Sequence, residues 1–301
     1  MLFRSGTISA SLGFAISNVY GNIESIINTS TGEINSASDT IVNGSGRFIT
    51  SLINQGDIDA SADAAILNNG TISTINNSGN IYATEGIGIE NDGASATITN
   101  LTNSGNISAG TAISNTTGSI ETITNTGSIS SLTSLADIHN NGSINMLINR
   151  QSNLTFTGNL PANYQIMIAS TSNYGKITFN GVTGTTIFDI HSTSSVMENT
   201  TYTDVITGIS DAELSATTGT FTDAEGDSYN WSLSLDGGSY DLILGDCTGA
   251  CGEAEAAEVS YPSTAATQVS VNNVANSMNA QFSSFAMTTN FANLNTYDCG
   301  L

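Results

Sequence analysis

Basic residues are nearly missing from this chain. Four Lys and Arg (Arg4, Arg47, Arg150 and Lys176) stand against 26 Asp and Glu in 301 residues, a formal net charge of −22. Nucleic acids and anionic lipids are held by clustered Lys and Arg that displace counterions, so this composition argues against DNA or RNA as a partner. Charge of either sign is scarce: Asp, Glu, Lys and Arg make up 10% of the chain, against roughly 25% in ordinary domains. Asn, Ser, Thr and Gly supply the polarity instead, in the manner of extracellular proteins. Proline occurs twice, but the many isoleucines argue against disorder, which goes with low aliphatic content. No apolar run reaches 18 residues, which leaves no candidate transmembrane helix.

Three cysteines are too few for a zinc site built from four paired ligands. Cys247 and Cys251, in the run CTGAC, are spaced for a small disulfide loop, which fits an oxidising compartment. Three unpaired thiols are the alternative. The opening MLFRSGTISASLGF lacks the basic and apolar regions of a signal peptide. Repeat material begins within the first ten residues, so a secretion signal is expected in sequence upstream, with this chain a fragment.

What the chain has is an internal repeat. One series reads small-Ile-x-Asn, with Ile16, Ile41, Ile66, Ile89, Ile113 and Ile138 each followed two residues later by Asn18, Asn43, Asn68, Asn91, Asn115 and Asn140. These isoleucines are 25, 25, 23, 24 and 25 residues apart. A second series places Ile26, Leu52, Ile75, Leu101, Ile123 and Leu147 two residues before Asn28, Asn54, Asn77, Asn103, Asn125 and Asn149. Gly-x-Ile runs such as Gly56-Asp57-Ile58, Gly79-Asn80-Ile81 and Gly105-Asn106-Ile107 recur between them.

Each copy of about 24 residues thus holds short apolar runs with period-two alternation, separated by Asn and Gly. The runs read as strands of three to five residues with one inward side chain per pair. Strands that short are stable only when copies stack, each strand pairing with its equivalent above and below at ~4.8 Å. The pattern predicts an all-β fold, a right-handed parallel β-helix with an isoleucine core. Gly and Asn are expected at the bends for their tolerance of positive φ, and stacked Asn side chains can bond from copy to copy. Length variation is assigned to loops at 108–111 and 131–134.

The boundaries that follow are regular repeats over 1–150, a C-terminal β-helix and cap region over 151–245, an acidic linker over 246–262 and an amphipathic helix over 263–301. The cap is inferred from the rise in aromatics, among them Phe156, Tyr164, Phe179, Phe188, Tyr202, Trp231 and Tyr240. Repeat proteins need such a covering at the end of the stack. The helix is inferred from Val271, Val274, Met278, Phe282 and Phe285, at steps of three and four.

Candidates for chemistry are sparse. His139 shares its repeat position with Ser17, Val42, Leu67, Glu90 and Ser114, a mixture expected of an outward, solvated site rather than a catalytic base. Gly226-Asp227-Ser228-Tyr229 lacks the glycine that a serine nucleophile turn carries after the serine. Asp57, Asp59 and Asp63 fall within one corner and are the calcium candidates, although calcium asks for six to eight oxygens. Asp223, Glu225 and Asp227 form a second acidic cluster. No other cofactor is expected.

The order of parts resembles the type V autotransporters of Gram-negative bacteria. Asn125-Thr126-Gly127-Ser128-Ile129 and Asn103-Ser104-Gly105-Asn106-Ile107 look like their passenger β-helix. Tyr174-Gly175-Lys176-Ile177-Thr178-Phe179-Asn180-Gly181 and Tyr202-Thr203-Asp204-Val205-Ile206-Thr207-Gly208-Ile209 look like the passenger's C-terminal end, and 269–301 like the linker helix that threads the translocator pore. The family's C-terminal barrel has no counterpart in these 301 residues. The resemblance implies export through an outer-membrane barrel, folding outside, and display at the cell surface. The expected function is a non-enzymatic stalk or adhesin that binds a host or environmental surface, a glycan or itself. The alternative is a carbohydrate-active β-helix enzyme, which convergent carboxylates in one groove would favour.

Overall fold

The computed structural model describes residues 6–248 and the strand Leu2–Phe3. The described residues form strands, bends and turns with no helix, arranged as a parallel β-solenoid of about eight turns. The helix expected over 263–301 and most of the linker over 246–262 lie outside the described residues. Asp246, Cys247 and Thr248 are not linker but the end of the strand Ser239–Thr248.

Each regular turn lays one seven-residue strand on a nine-stranded sheet, as in Phe48–Asn54, Thr71–Asn77, Thr97–Asn103 and Ser119–Asn125. It lays a Gly-x-Ile strand and an Ile-x-Asn strand on a second, larger sheet, as in Asp57–Ala60 and Ala64–Asn68. In two turns these join into the single strands Asn80–Asn91 and Asn106–Asn115, longer than the expected three to five residues. The stretch 108–111 is therefore strand, not loop. At 132–134 the chain does leave the sheet, and both Thr133 and Ser134 turn their N–H groups to Gly110 O.

Register is strict. Ile41 pairs with Ile66 and Ile66 with Ile89; Ile89 pairs with Ile113 and Ile113 with Ile138. All are fully buried, and Ile16 on the first turn nearly so. The Gly-x-Ile runs turn out to be two columns on different sheets. Ile34, Ile58, Ile81 and Ile107 line one, and Ile49, Ile72, Ile98 and Ile120 the other.

The asparagines build two buried side-chain ladders. Asn18, Asn43, Asn68, Asn91 and Asn115 each donate Nδ2 to Oδ1 of the next turn's asparagine at 2.7–2.8 Å, ending at Asn140. Asn28, Asn54, Asn77, Asn103 and Asn125 do the same at 2.8–3.2 Å, ending at Asn149. The second Nδ2 hydrogen reaches past the bend to a backbone carbonyl one turn on, as from Asn77 to Asn106 O at 3.1 Å. These residues are not in the left-handed region; the non-glycine residues found there are Asn199 and Asp204. The expectation that Asn serves the bends through positive φ is corrected: a buried amide is retained because it has donors and an acceptor for every neighbour.

Bend glycines are corrected in the same way. Gly79 and Gly105 do not have positive φ. A Cβ on Gly105 would stand 2.2 Å from Gly79 O and 2.6 Å from the Ser78 carbonyl carbon. Close approach of stacked backbones, not torsional freedom, demands glycine there.

Parallel stacking continues past residue 150 through Leu154–Asn159, Asn163–Ile166, Ile177–Thr183 and Ile187–Ile190. Aromatics replace isoleucine in the core: Phe156 meets Phe179 edge-on at 5.6 Å, and Phe179 meets Tyr164 at 6.0 Å. The stack then closes with an antiparallel cap of Thr201–Thr207, Thr218–Thr222, Ser228–Asp236 and Ser239–Thr248. Trp231 of this cap meets Phe188 of the last parallel turn edge-on at 5.2 Å. Gly237 and Gly238, at φ 58° and 99°, make the tight turn that joins its last two strands.

Candidate functional site

Side chains pointing outward from the larger sheet form columns as regular as those inside. The x of successive Gly-x-Ile runs gives Thr7, Glu33, Asp57, Asn80 and Asn106; two residues on, Ser9, Asn35, Asp59, Tyr82 and Ser108 form a second column. Asn80 Nδ2 donates to Asp57 Oδ1 at 2.7 Å, and Asn35 Nδ2 to Glu33 Oε1 at 2.6 Å. Glu33, Asp57, Asp59, Asn80, Tyr82 and Asn106 border a shallow groove of about 290 Å³. Partial burial raises the Asp59 carboxyl above its ordinary value, and the negative charges of Glu33 and Asp57 add to it.

A second groove, of about 510 Å³, lies at the next bend and is bordered by Asp39, Asp63, Glu85 and Glu90. Three consecutive turns supply these carboxylates. Burial lifts Asp39, opposed by the Ala64 N–H that it accepts at 2.9 Å and reinforced by Asp63. Burial also lifts Glu90, with Asp92, Asp39 and Asp63 adding like charge. Among the described residues the one ion pair is Lys176 Nζ to Asp204 Oδ2 at 3.8 Å, so no cation offsets either group.

A carboxyl whose folded value lies above its unfolded one binds its proton more tightly in the folded state. Stability then rises as pH falls through the folded value toward the unfolded one near 4. The thermal midpoint is expected to rise when pH is lowered from 7 to about 5. Asp63→Asn keeps an acceptor for Ser38 Oγ, which donates to Asp63 Oδ2 at 2.7 Å, yet removes a charge facing Asp39 and Glu90. It should raise the midpoint at pH 7 and shrink the gain on acidification. An unchanged or lower midpoint at pH 5 in the parent chain would contradict this account.

The three calcium candidates are not brought together. Asp57 and Asp59 share the outward face of one strand, whereas Asp63 belongs to the second groove. Among the described residues no three His, Cys, Asp or Glu converge in a way that could hold a metal ion. Asp223 turns inward on its own loop, accepting the N–H groups of Glu225 at 3.1 Å and Asp227 at 2.8 Å. His139 sits outward as expected but half-buried, and its column includes the buried Val42 and Ser114. Cys247 is disulfide-bonded; Cys251 lies outside the described residues. Nothing in the local sequence marks Glu33, Asp39, Glu85, Glu90 and Tyr82 as site residues, although aligning Gly32-Glu33-Ile34 with Gly56-Asp57-Ile58 exposes the first column.

The chain matches no known family model, no curated protein and no solved structure.

Proposed function

We propose that this chain is the passenger of a Gram-negative autotransporter and acts at the cell surface as a non-enzymatic stalk or adhesin, holding other surfaces, glycans or copies of itself. The observation that carries this reading is the outer face, whose polar side chains repeat in register from turn to turn. Such a surface makes many equivalent weak contacts, and linked weak contacts give avidity without one deep pocket. The disulfide at Cys247 supports an oxidising location. A net charge of −22 keeps a long exposed solenoid from binding polyanions nonspecifically.

The test is display of the chain on cells through a fused outer-membrane barrel, scored for cell aggregation and surface adhesion. Either phenotype, absent from cells that carry the barrel alone, is the expected result. Failure of both together with turnover of a polysaccharide would replace this reading by the alternative, a carbohydrate-active enzyme. What favours that alternative is the groove of Asp39, Asp63, Glu85 and Glu90, since glycoside hydrolysis uses one protonated and one ionised carboxyl. Asp39→Asn and Glu90→Gln would then abolish turnover.

A further inference from the structure

Tyr82 is out of keeping with its surroundings. Over residues 16–150 the Phe, Tyr and Trp residues are Tyr20, Phe48 and Tyr82, and Tyr82 stands near the start of the long strand Asn80–Asn91, facing outward and 38% exposed. It is flanked in register by Asp59 on one side and Ser108 on the other. Beside it run Glu33, Asp57, Asn80 and Asn106, so with Asp59 the groove combines a ring face, two amides and three carboxylates. An exposed ring next to planar hydrogen-bonding groups suits a pyranose, whose C–H face packs on the ring while its hydroxyls meet amide and carboxylate.

Two further features narrow the ligand. The columns run along the solenoid axis with a rung every ~4.8 Å, close to the length of one sugar ring. A linear polysaccharide lying along the axis would thus meet one side chain of each column at each residue. The charge selects among such polymers: Glu33, Asp57 and Asp59 crowd together with no Lys or Arg at the groove. A polyuronate would be repelled there, and a polymer with protonated amines would relieve the crowding.

We infer that the groove at Tyr82 binds a linear amino-sugar polysaccharide with free amines, with Tyr82 as the stacking platform and Asp57 and Asp59 as the partners of the ammonium groups. The inference deepens the adhesin reading and rests on it by naming the glycan, and it can fail while adhesion to some other surface stands.

Its test is calorimetric titration of the purified full chain with three hexamers: glucosamine, N-acetylglucosamine and a uronic acid. The glucosamine hexamer is expected to bind at least tenfold more tightly than the acetylated one, with no binding of the uronate. Tyr82→Ala should weaken glucosamine binding about tenfold. Asp57→Asn with Asp59→Asn should erase the preference over the acetylated hexamer. Glu121→Gln, an exposed carboxylate on the other sheet, should change nothing. Tyr82 points outward, and circular dichroism of each variant checks the fold. Absence of glucosamine binding, equal binding of the uronate, or equal loss on Glu121→Gln and the groove variants would each overturn the inference. Hydrolysis of any hexamer would instead overturn the adhesin reading on which it rests.

Discussion

Gly105→Ala is expected to destabilise the solenoid by about 3 kcal/mol or more, through backbone overlap rather than lost contacts. The added Cβ would lie 2.2 Å from Gly79 O, an atom already engaged by the Asn106 N–H at 2.9 Å. Neither atom can retreat alone, because Gly105 N also donates to Asn77 O, one turn earlier, at 3.1 Å. Relief requires the rungs to separate, which lengthens the backbone bonds on both sides. Gly21→Ala is the control: its Cβ meets nothing within 4 Å and its φ is not positive, so its effect should stay within about 0.5 kcal/mol. Urea unfolding of the two variants side by side decides the matter, read with native-state hydrogen exchange because stacked turns need not unfold in one step. Equal midpoints would mean that bend spacing is not what glycine protects.

Asn77→Asp should be nearly as damaging at neutral pH and much less so in acid. The substitution keeps size and the acceptor that takes Asn54 Nδ2 at 2.8 Å. It removes the donor that serves Asn103 Oδ1 at 2.8 Å, Asn106 O at 3.1 Å and Gly79 O at 3.2 Å. An ionised carboxylate would then face three oxygens from a position only 1% exposed. Leaving a buried charge uncompensated costs about 3–5 kcal/mol. The group would therefore hold its proton far above the unfolded value of about 3.9. The penalty is present at pH 7 and is relieved as pH falls through the folded value, since the neutral acid recovers one O–H donor. Unfolding at pH 7 and pH 4.5 should show the variant regaining much of its deficit relative to the parent. A deficit independent of pH would mean that the ladder tolerates a carboxylate by rearranging.

The isoleucine and asparagine columns were legible because a repeat writes the same inward residue at the same place in each copy. Ile66 and Asn68 announce Ile89 and Asn91. Reading them required only that the side-chain period of a strand is two. What the repeat did not reveal was which bend each run occupies. Ile58 and Ile72 both follow Gly-x, yet they belong to different sheets, because a local pattern carries no information on how far around the turn it lies. Glycine at 105 likewise looked like a torsional requirement, since the neighbour that excludes a side chain is Gly79, a full turn earlier in sequence. The candidate site was the least legible part. Proximity along the chain places Asp63 with Asp57, whereas the fold sends it to Asp39, Glu85 and Glu90. Tyr82 carried no signal until its outward direction and its partners Asp59 and Ser108 were known.

Because every strand of the regular turns bonds to its counterpart about one turn away, load applied along the axis falls on a few edge hydrogen bonds at a time. Under tension the molecule should therefore yield as a ratchet of small detachments, each turn of ~24 residues releasing roughly 80 Å of contour at ~3.4 Å per residue. Slack would be paid out gradually, sparing whatever the outer face holds from a single abrupt jolt. The interlocked Phe188–Trp231 end, with antiparallel partners on several strands, would be the last portion to let go.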